Sequence, residues 1–403
     1  MRLAIVVSHP IQYAVPLYRR LSKRSDLVSK VFFTWHAGEK AVADRGFAQP
    51  VAWDIPLTEG YDFELVPNVS ADPGTHRFFG LRNPELVARV LSWRPDVVEV
   101  TGWAWYSHLQ LLFALHRKRV RTLFFGDSNL LGAALCGPRW LIKATVLRRV
   151  YSWPTGFLVV GSANRAYYER FGVAPARLHL CPHSIDVGRF AKPAPNLEQE
   201  AAQWRSELGI EQHQKVLLYA GKFESIKRPV ELMRAGARLR DRSIVLVMVG
   251  AGELQAEIDA IAASDPSRFR VLPFQNQSRM PIVYRLGDIF VLPSAGESWG
   301  LAVNEALACG RPVLVSDRVG CAADVVDPTC GRIFRSEDWS EFERIVQTLA
   351  TDAAKLAEMG RFAAKRAWSF DVAVAEAALI KALNNVCVRP SRISKDRGYI
   401  GQG

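Results

Sequence analysis

Two lysines stand at a spacing that suits the binding of an anionic group. Lys222 and Lys227 lie five residues apart in a loop that follows a predicted strand. Two amines at that spacing can converge on one anion, and each charge-assisted contact to a phosphate contributes roughly 1.5–3 kcal/mol. A single lysine at either position is more often solvated surface, so the pair carries the prediction.

Two glutamates flank the predicted start of a helix. Glu297 falls in a loop after a predicted strand that ends in Pro293-Ser294, and Glu305 falls on the following helix. The backbone amides of Ser298–Leu301 have no partner within that helix and can bind hydroxyl oxygens or an oxyanion. Gly300 permits a close approach of the backbone. Two carboxylates beside free amides suit a polyhydroxylated ligand that carries phosphate.

The elements that must position these residues follow a repeated pattern. Short apolar runs alternate with helical patterns along the chain, which predicts βαβ units and parallel sheets. Leu3–Val7 and Val97–Val100 are almost continuously apolar, as expected of strands that are covered on both faces. Ligands bind such sheets beyond the carboxyl ends of the strands. The predicted fold class is therefore α/β, with two Rossmann-like doubly wound domains facing each other across a cleft.

The chain length of 403 residues favours two packed domains, because one hydrophobic core stops growing near ~250–300 residues. The polar, proline-containing segment Ala191–Glu200 is the predicted boundary between them. We expect an N-terminal Rossmann-like domain over residues 1–190 and a C-terminal one over residues 191–370. A closing helix over residues 371–387 and a tail over residues 388–403 complete the prediction.

The positive charge is concentrated in the first half of the chain. Residues 1–195 carry +11 of the net charge of +12. This asymmetry indicates an anionic partner for the first half: nucleic acid, an anionic membrane surface or a phosphorylated substrate. No nucleic-acid recognition motif accompanies the charge, so we expect no nucleic-acid partner.

One predicted helix, Pro138–Tyr151, interleaves basic and apolar residues. A basic amphipathic helix of this kind can lie on anionic lipid. A helix that packs on the core and leaves its basic face in water fits the pattern equally well. The residues that would contact a membrane are Arg139, Lys143, Arg148 and Arg149.

The composition is that of an ordinary globular protein. With 49% hydrophobic and 23% charged residues, a disordered or fibrous chain is excluded. No apolar run approaches the ~18 residues needed to span a bilayer. The six cysteines are scattered without a C-x-x-C pair, which argues against a disulfide framework or a zinc site. We expect a cytoplasmic protein, with peripheral attachment at the inner face of the membrane as a further hypothesis.

The pattern Gly221-Lys222-x4-Lys227 followed by Glu297-x7-Glu305 resembles the donor site of retaining glycosyltransferases of family 4, which have the GT-B fold. Val249–Leu254 resembles the Gly-x-Gly strand end of that family, and Val313–Val326 resembles the stretch before its last strand. The resemblance covers residues 210–335 well and the N-terminal domain loosely.

The resemblance implies transfer of a hexose, with retained anomeric configuration, from a UDP- or GDP-hexose to a glycan or lipid-linked acceptor. The donor would be held by the second domain and the acceptor by the first, in cell-surface polysaccharide biosynthesis. No cofactor and no metal are implied, because two ammonium groups can replace a divalent cation at the diphosphate.

The resemblance also implies roles for individual residues. Lys222 and Lys227 would neutralise the leaving diphosphate, and Glu297 would hold the transferring sugar, which makes these three the predicted catalytic residues. Glu305 would accept the ribose hydroxyls. The predicted donor-binding residues are Gly221, Ser298, Trp299, Gly300, Leu301, Glu305 and Phe274.

The chain departs from the family pattern at three places. The family usually has arginine at Lys222, so this chain keeps the charge and loses bidentate geometry. The family commonly has a glycine-rich first loop, whereas this chain has His9 and Gln12 there. The family often has a histidine after the fourth strand of the N-terminal domain, whereas this chain has Asp127. These three residues are candidates for contact with the acceptor or the sugar. A structural histidine and a helix N-cap aspartate are the alternatives.

Of three other functions, the epimerase and the non-catalytic binding protein stay open, and the oxidoreductase is discounted. An epimerase of the same fold would need an acid–base pair in the cleft. A Rossmann oxidoreductase would need Gly-x-Gly-x-x-Gly, and the third glycine is missing both after the first strand and at Gly250-Ala251-Gly252. A non-catalytic protein that binds anionic surfaces through its charge is the third.

Overall fold

A computed structural model describes residues 1–35, 42–44, 46–132, 137–192 and 195–387. The side chains of residues 42–44, 139 and 195 are not described, and the predicted tail over residues 388–403 lies outside the described residues.

The N-terminal sheet contains parallel strands that run between helices. The strands of this half are β1 (Arg2–Val7), β2 (Val28–Phe33), β3 (Val42–Asp44), β4 (Gln49–Val51), β5 (Phe63–Leu65), β6 (Val97–Thr101), β7 (Arg121–Phe125), β8 (Gly156–Val159) and β9 (Leu178–Leu180). Within the described residues, seven of them form one sheet in the order β5-β2-β1-β6-β7-β8-β9, while β3 and β4 pair as an antiparallel hairpin. The helices are α1 (Val15–Ser22), α2 (Leu86–Ser92), α3 (Tyr106–Arg117), α4 (Pro138–Tyr151), α5 (Ser162–Arg170) and α6 (Val187–Ala191).

The C-terminal sheet has six strands in the described part of the chain, in the order β12-β11-β10-β13-β14-β15. They are β10 (Lys215–Lys222), β11 (Ile244–Ala251), β12 (Phe269–Leu272), β13 (Ile289–Leu292), β14 (Val313–Ser316) and β15 (Gly331–Phe334). The helices are α7 (Pro195–Glu207), α8 (Pro229–Arg238), α9 (Gln255–Ser264), α10 (Met280–Leu286), α11 (Leu301–Ala308), α12 (Ala322–Val325), α13 (Trp339–Ala350), α14 (Ala353–Ala367) and α15 (Val372–Cys387).

Both faces of the C-terminal sheet are buried, as the continuously apolar strands predict. Along β10, Val216 and Leu218 belong to the hydrophobic core on one face, and Leu217 and Tyr219 belong to the core on the other. Alternate residues of a strand point to opposite faces. The side chains of β10 are therefore buried in the two cores along the length of the strand. A ligand can reach only its carboxyl end.

The last helix returns to the N-terminal domain. Leu379 and Leu383 of α15 pack in the same core cluster as Leu3 and Ile5 of β1. Glu376 of α15 also forms ion pairs with two arginines of that domain, at 2.6 Å and 3.0 Å. Because the chain crosses between the domains twice, their strand ends are held facing each other.

The boundary segment differs from its prediction. The sequence predicts a polar linker over Ala191–Glu200, but α7 begins at Pro195 within it and runs to Glu207. Leu197 and Trp204 pack against the C-terminal core. These two apolar residues lie two turns apart and form an apolar stripe on the helix. The glutamates and glutamines around them make this stripe hard to recognise in the sequence. The sequence analysis also misses the β3–β4 hairpin and β5.

None of the helices that the structure describes is both long enough and apolar enough to cross a bilayer.

Candidate active site

A cavity of about 390 Å³ lies between the two domains, at the carboxyl ends of their strands. Parallel sheets bind ligands at this edge because helix N-termini and loop residues collect there. The cavity wall includes His9, Gln12 and Trp53 from the first domain and Gly221, Lys222 and Phe274 from the second.

Lys222 is the last residue of β10, and its ammonium group lies at the wall of this cavity. The neighbouring strand β11 approaches closely, since a side chain on Gly250 would place its Cβ 1.9 Å from the carbonyl oxygen of Gly221. Gly250 also has a φ of +159°. The glycine therefore keeps the cavity floor open beside the lysine.

Lys227 forms an ion pair with Glu297. Lys227 ends a short 3₁₀ turn over Ser225–Lys227 after β10, and Glu297 lies in the loop after β13. Strands β10 and β13 are neighbours in the sheet, so their loops meet at the same edge. The two side chains are 22% and 17% exposed. The structure thus brings together two predicted site residues that are far apart in the sequence.

The loop that contains Glu297 is held against the segment after β14. The amide of Glu297 donates to the carbonyl oxygen of Arg318 at 3.1 Å, and the amide of Gly320 donates to the carbonyl oxygen of Glu297 at 3.1 Å. Gly300 adopts a φ of +100°, where a Cβ would lie 2.9 Å from a methyl group of Val319. These contacts fix the path of the backbone into α11.

No described residue accepts a hydrogen bond from the backbone amides of residues 298–301. The Trp299 side chain is 2% exposed and donates to Asn304 at 3.0 Å, so only its backbone amide is available to a ligand. This row of amides at the start of α11 can hold oxygen atoms of a ligand.

Glu305 lies on α11 and lines a second cavity of about 150 Å³. Gln12 and Gln277 line both cavities, which are therefore adjacent. The hydroxyl of Tyr284 donates to the Glu305 carboxylate at 2.5 Å. Burial raises the pKa of Glu305 to about 7, against the opposite effects of the Tyr284 hydrogen bond and the Arg189 charge.

Asp127 contacts the C-terminal domain directly. The Ser298 hydroxyl donates to Asp127 at 2.8 Å, and Nε2 of His183 lies 3.7 Å from the same carboxylate. Burial raises the pKa of Asp127, but the His183 and Ser298 interactions outweigh it and leave the pKa below its ordinary value. The helix N-cap alternative is wrong, because the next helix begins at Pro138.

His9 and Gln12 also lie at the cleft. Both line the cavity that contains Lys222. Nδ1 of His9 lies 2.9 Å from the Ser8 hydroxyl, and its ring packs edge-to-face on Trp35 with a centroid distance of 5.3 Å. His9 therefore has structural contacts and faces the cavity as well.

In the part of the chain that the structure describes, there is no group of three or more histidine, cysteine, aspartate or glutamate residues that could bind a metal ion.

The family model described as "Glycosyl transferases group 1" matches residues 200–366. This matched part, here called the group 1 domain, contains the strands, loops and helix that position Lys222, Lys227, Glu297 and Glu305.

Curated relatives match about half of the chain. The D-inositol 3-phosphate glycosyltransferase of Salinispora arenicola is 29% identical over 217 residues, covering 50% of this chain and 48% of the relative. The enzyme of the same name from Rhodococcus opacus is 31% identical over 216 residues, covering 50% and 46%. The chain spans about half the length of the curated relatives it matches.

Solved structures match almost the whole chain. Anabaena Alr3699/HepE in complex with UDP and glucose is 16% identical, with a TM-score of 0.71 over 95% of this chain and 99% of that one. WaaG, a glycosyltransferase involved in lipopolysaccharide biosynthesis, is 16% identical, with a TM-score of 0.66 over 94% and 99%. The predicted GT-B fold is confirmed.

Two residues at the cleft between the domains are not predicted from the sequence. Nδ2 of Asn129 donates to the carbonyl oxygens of Glu297 and Ser298, at 2.8 Å and 3.0 Å. His183 is 5% exposed and packs against Trp299 of the group 1 domain. Asn129 follows β7 and His183 follows β9 of the N-terminal sheet. Their position after these strands, at the carboxyl edge of the sheet, is the feature of the sequence that could have identified them.

The raised pKa of Glu305 predicts a pH dependence of stability. In the unfolded chain the carboxyl ionises near its ordinary pKa of 4.5, and in the folded protein it stays protonated up to about 7. The folded state therefore binds more protons in this window. The contribution of Glu305 to the free energy of unfolding falls as the pH rises from about 4.5 to 7, by at most about 1.4 kcal/mol per pH unit.

Urea unfolding of the wild type and Glu305→Gln at a series of pH values measures this contribution as the difference between the two curves. Glu99, whose pKa burial also raises to about 7, contributes equally to both proteins and cancels. A difference that does not change between pH 4.5 and 7 contradicts the raised pKa.

Proposed function

We propose that the protein is a retaining glycosyltransferase that transfers a hexose from a nucleotide-diphosphate sugar to a glycan or lipid-linked acceptor. The observation that carries the proposal is the ion pair of Lys227 and Glu297, in which Lys227 belongs to the loop that follows Lys222, a residue of the cavity wall. Cations and a carboxylate at one strand edge suit a ligand with a diphosphate at one end and sugar hydroxyls at the other. UDP is the favoured nucleotide, because the structures of HepE contain UDP, with glucose in one case.

The two lysines stabilise the leaving diphosphate. Their charges are fixed in position before the donor binds, so the protein need not reorganise as negative charge develops on the leaving group. Lys227 is already held by Glu297 in a largely buried site. Two ammonium groups supply the positive charge that a divalent cation would otherwise provide.

The carboxylates bind hydroxyl groups at the two ends of the donor. Glu297 and the amides of residues 298–301 hold the transferring sugar, and Glu305 accepts the ribose hydroxyls. Glu305 lines the smaller cavity, which shares Gln12 and Gln277 with the cavity of Lys222. A donor that spans both cavities reaches Lys222 with its diphosphate and Glu305 with its ribose.

The acceptor enters from the N-terminal side. His9 and Gln12 line the donor cavity from that domain, and Asp127 contacts Ser298 in the donor loop. An acceptor hydroxyl near these residues lies beside the transferring sugar. The N-terminal domain also carries most of the positive charge, which suits a phosphorylated or membrane-bound acceptor.

Substitution of the lysines tests the proposal. UDP at about 100 times its Kd stabilises the wild type by ~2.7 kcal/mol, and Lys222→Ala loses most of this shift because a phosphate contact is gone. Lys227→Ala slows turnover by ~10²–10³-fold, the usual cost of losing one charge-stabilising group. Turnover is measured as nucleoside diphosphate released from UDP- or GDP-hexose in the presence of lipid and polysaccharide extracts.

Lys215→Ala is the matched control, because Lys215 lies at the opposite end of the same strand. A thermal shift with NAD and none with UDP, GDP or ADP rejects the proposal, as does an unchanged UDP shift in Lys222→Ala. A sugar epimer formed without any acceptor identifies the epimerase.

We also propose that α4 attaches the protein to an anionic membrane surface. One face of this helix packs on the core through Ala144, Leu147 and Val150, as the core-facing interpretation expects. The opposite face exposes Leu141 and Ile142 by 65% and 67%. Exposed on this helix as well are Lys143, Val146, Arg148 and Arg149. The side chain of Arg139 lies outside the described residues.

Apolar side chains beside basic ones suit a lipid surface, because the former enter the bilayer interface and the latter pair with anionic headgroups. Between Gly102 and Tyr168, Asp127 is the sole acidic residue against nine basic ones. Its carboxylate contacts Ser298 in the cleft, so it does not offset the charge of α4.

Vesicle sedimentation tests the membrane contact. The triple variant Lys143→Ala, Arg148→Ala and Arg149→Ala should lose most binding to vesicles with phosphatidylglycerol, since each basic residue near the surface contributes ~1 kcal/mol. The control triple variant Arg242→Ala, Arg335→Ala and Arg344→Ala removes the same charge from exposed sites of the C-terminal domain. Equal binding by the two triple variants contradicts the assignment.

A further inference from the structure

Residues 46–54, here called the 46–54 segment, extend from the N-terminal domain onto the group 1 domain. They meet the loop that follows β12. Nδ2 of Asn276 donates to the carbonyl oxygen of Ala52 at 2.6 Å. The amide of Ser278 donates to the Asp54 carboxylate at 3.0 Å, and the Ser278 hydroxyl donates to it as well. The segment is therefore fixed to the loop that carries Phe274.

Aromatic side chains of the segment pack at the same place. The ring of Phe47 contacts that of Phe274 edge-to-face, with a centroid distance of 4.6 Å, and Trp53 lies 6.3 Å from the same ring. Nζ of Lys222 lies 5.0 Å from the centroid of Phe47. Phe47 thus contacts Lys222, which is proposed for the diphosphate, and Phe274, which is a predicted donor-binding residue.

Phe47 lies in the cavity and outside the core. Among the described residues it belongs to none of the four hydrophobic core clusters, and it lines the cavity together with Trp53 and Phe274. Trp53 differs, because it also packs against the N-terminal core. An aromatic ring that packs on a ligand cavity and not in the core is placed to contact a flat ligand.

We propose that the 46–54 segment forms a wall of the nucleotide site, with Phe47 packed against the base, so that both domains hold the donor. The inference rests on the proposed function, because it takes a nucleoside diphosphate as the ligand. It adds a contact with the nucleotide to the N-terminal domain, for which the sequence predicts contacts with the acceptor or the sugar. The hydrogen bonds made by Asn276 and Asp54 already hold this wall against the C-terminal domain.

The size of the effect follows from the contact that is lost. Aromatic contacts contribute about 0.5–1.5 kcal/mol beyond the area that they bury, and 1.4 kcal/mol is tenfold in Kd. Phe47→Ala should therefore weaken UDP binding by about tenfold or more. Phe47→Tyr keeps the ring and should bind within about threefold of the wild type.

Isothermal titration with UDP, uridine and pyrophosphate separates the base from the diphosphate. Phe47→Ala should weaken UDP and uridine by a similar factor and leave pyrophosphate nearly unchanged. Phe113→Ala, a 45% exposed phenylalanine on α3, is the matched control and should bind all three ligands as the wild type does. The urea midpoint of each variant establishes that it is folded.

The outcomes distinguish this inference from the proposed function. If the wild type binds UDP and folded Phe47→Ala binds it equally well, the inference is overturned and the glycosyltransferase proposal stands. A loss in Phe47→Ala that is confined to pyrophosphate also overturns it, because the ring then acts on the diphosphate. If the wild type binds no nucleotide, both proposals fail together.

Discussion

The ion pair between Lys227 and Glu297 is the interaction on which the site depends. It joins two loops that follow neighbouring parallel strands, β10 and β13. An unpartnered charge at so little exposure would be costly, so each side chain holds the other at the strand edge. The fixed Glu297 loop also sets the path of the backbone into α11, the helix that carries Glu305. A cation, a carboxylate and a row of amides are thereby assembled before a ligand binds.

The N-terminal domain helps to fix the same loop. Asn129 binds the carbonyl oxygens of Glu297 and Ser298, and Asp127 binds the Ser298 hydroxyl. On the other side of the cleft, Asp54 binds Ser278. These contacts couple the geometry of the Glu297 loop to the relative position of the domains. A shift between the domains breaks hydrogen bonds at that loop.

The sequence predicts the parts of the site that depend on local structure. Hydrophobic periodicity locates the strands and the helix that carry or precede Lys222, Lys227, Glu297 and Glu305. The family resemblance indicates that these four residues belong to one site. Contacts between domains carry no such local signal. His183 and Asn129 are single polar residues after strands, the β3–β4 hairpin has only three-residue strands, and the apolar stripe of α7 is hidden by acidic neighbours. Their roles depend on packing partners that are distant in the sequence.

A crystal structure with UDP bound locates the diphosphate and the ribose in the site. We expect the β-phosphate within hydrogen-bonding distance of the ammonium groups of Lys222 and Lys227, and the ribose hydroxyls on Glu305. The Lys227 ammonium group would then donate hydrogen bonds to the phosphate oxygens, either in place of Glu297 or in addition to it. A diphosphate bound away from both lysines, or a ribose that does not contact Glu305, would contradict the account.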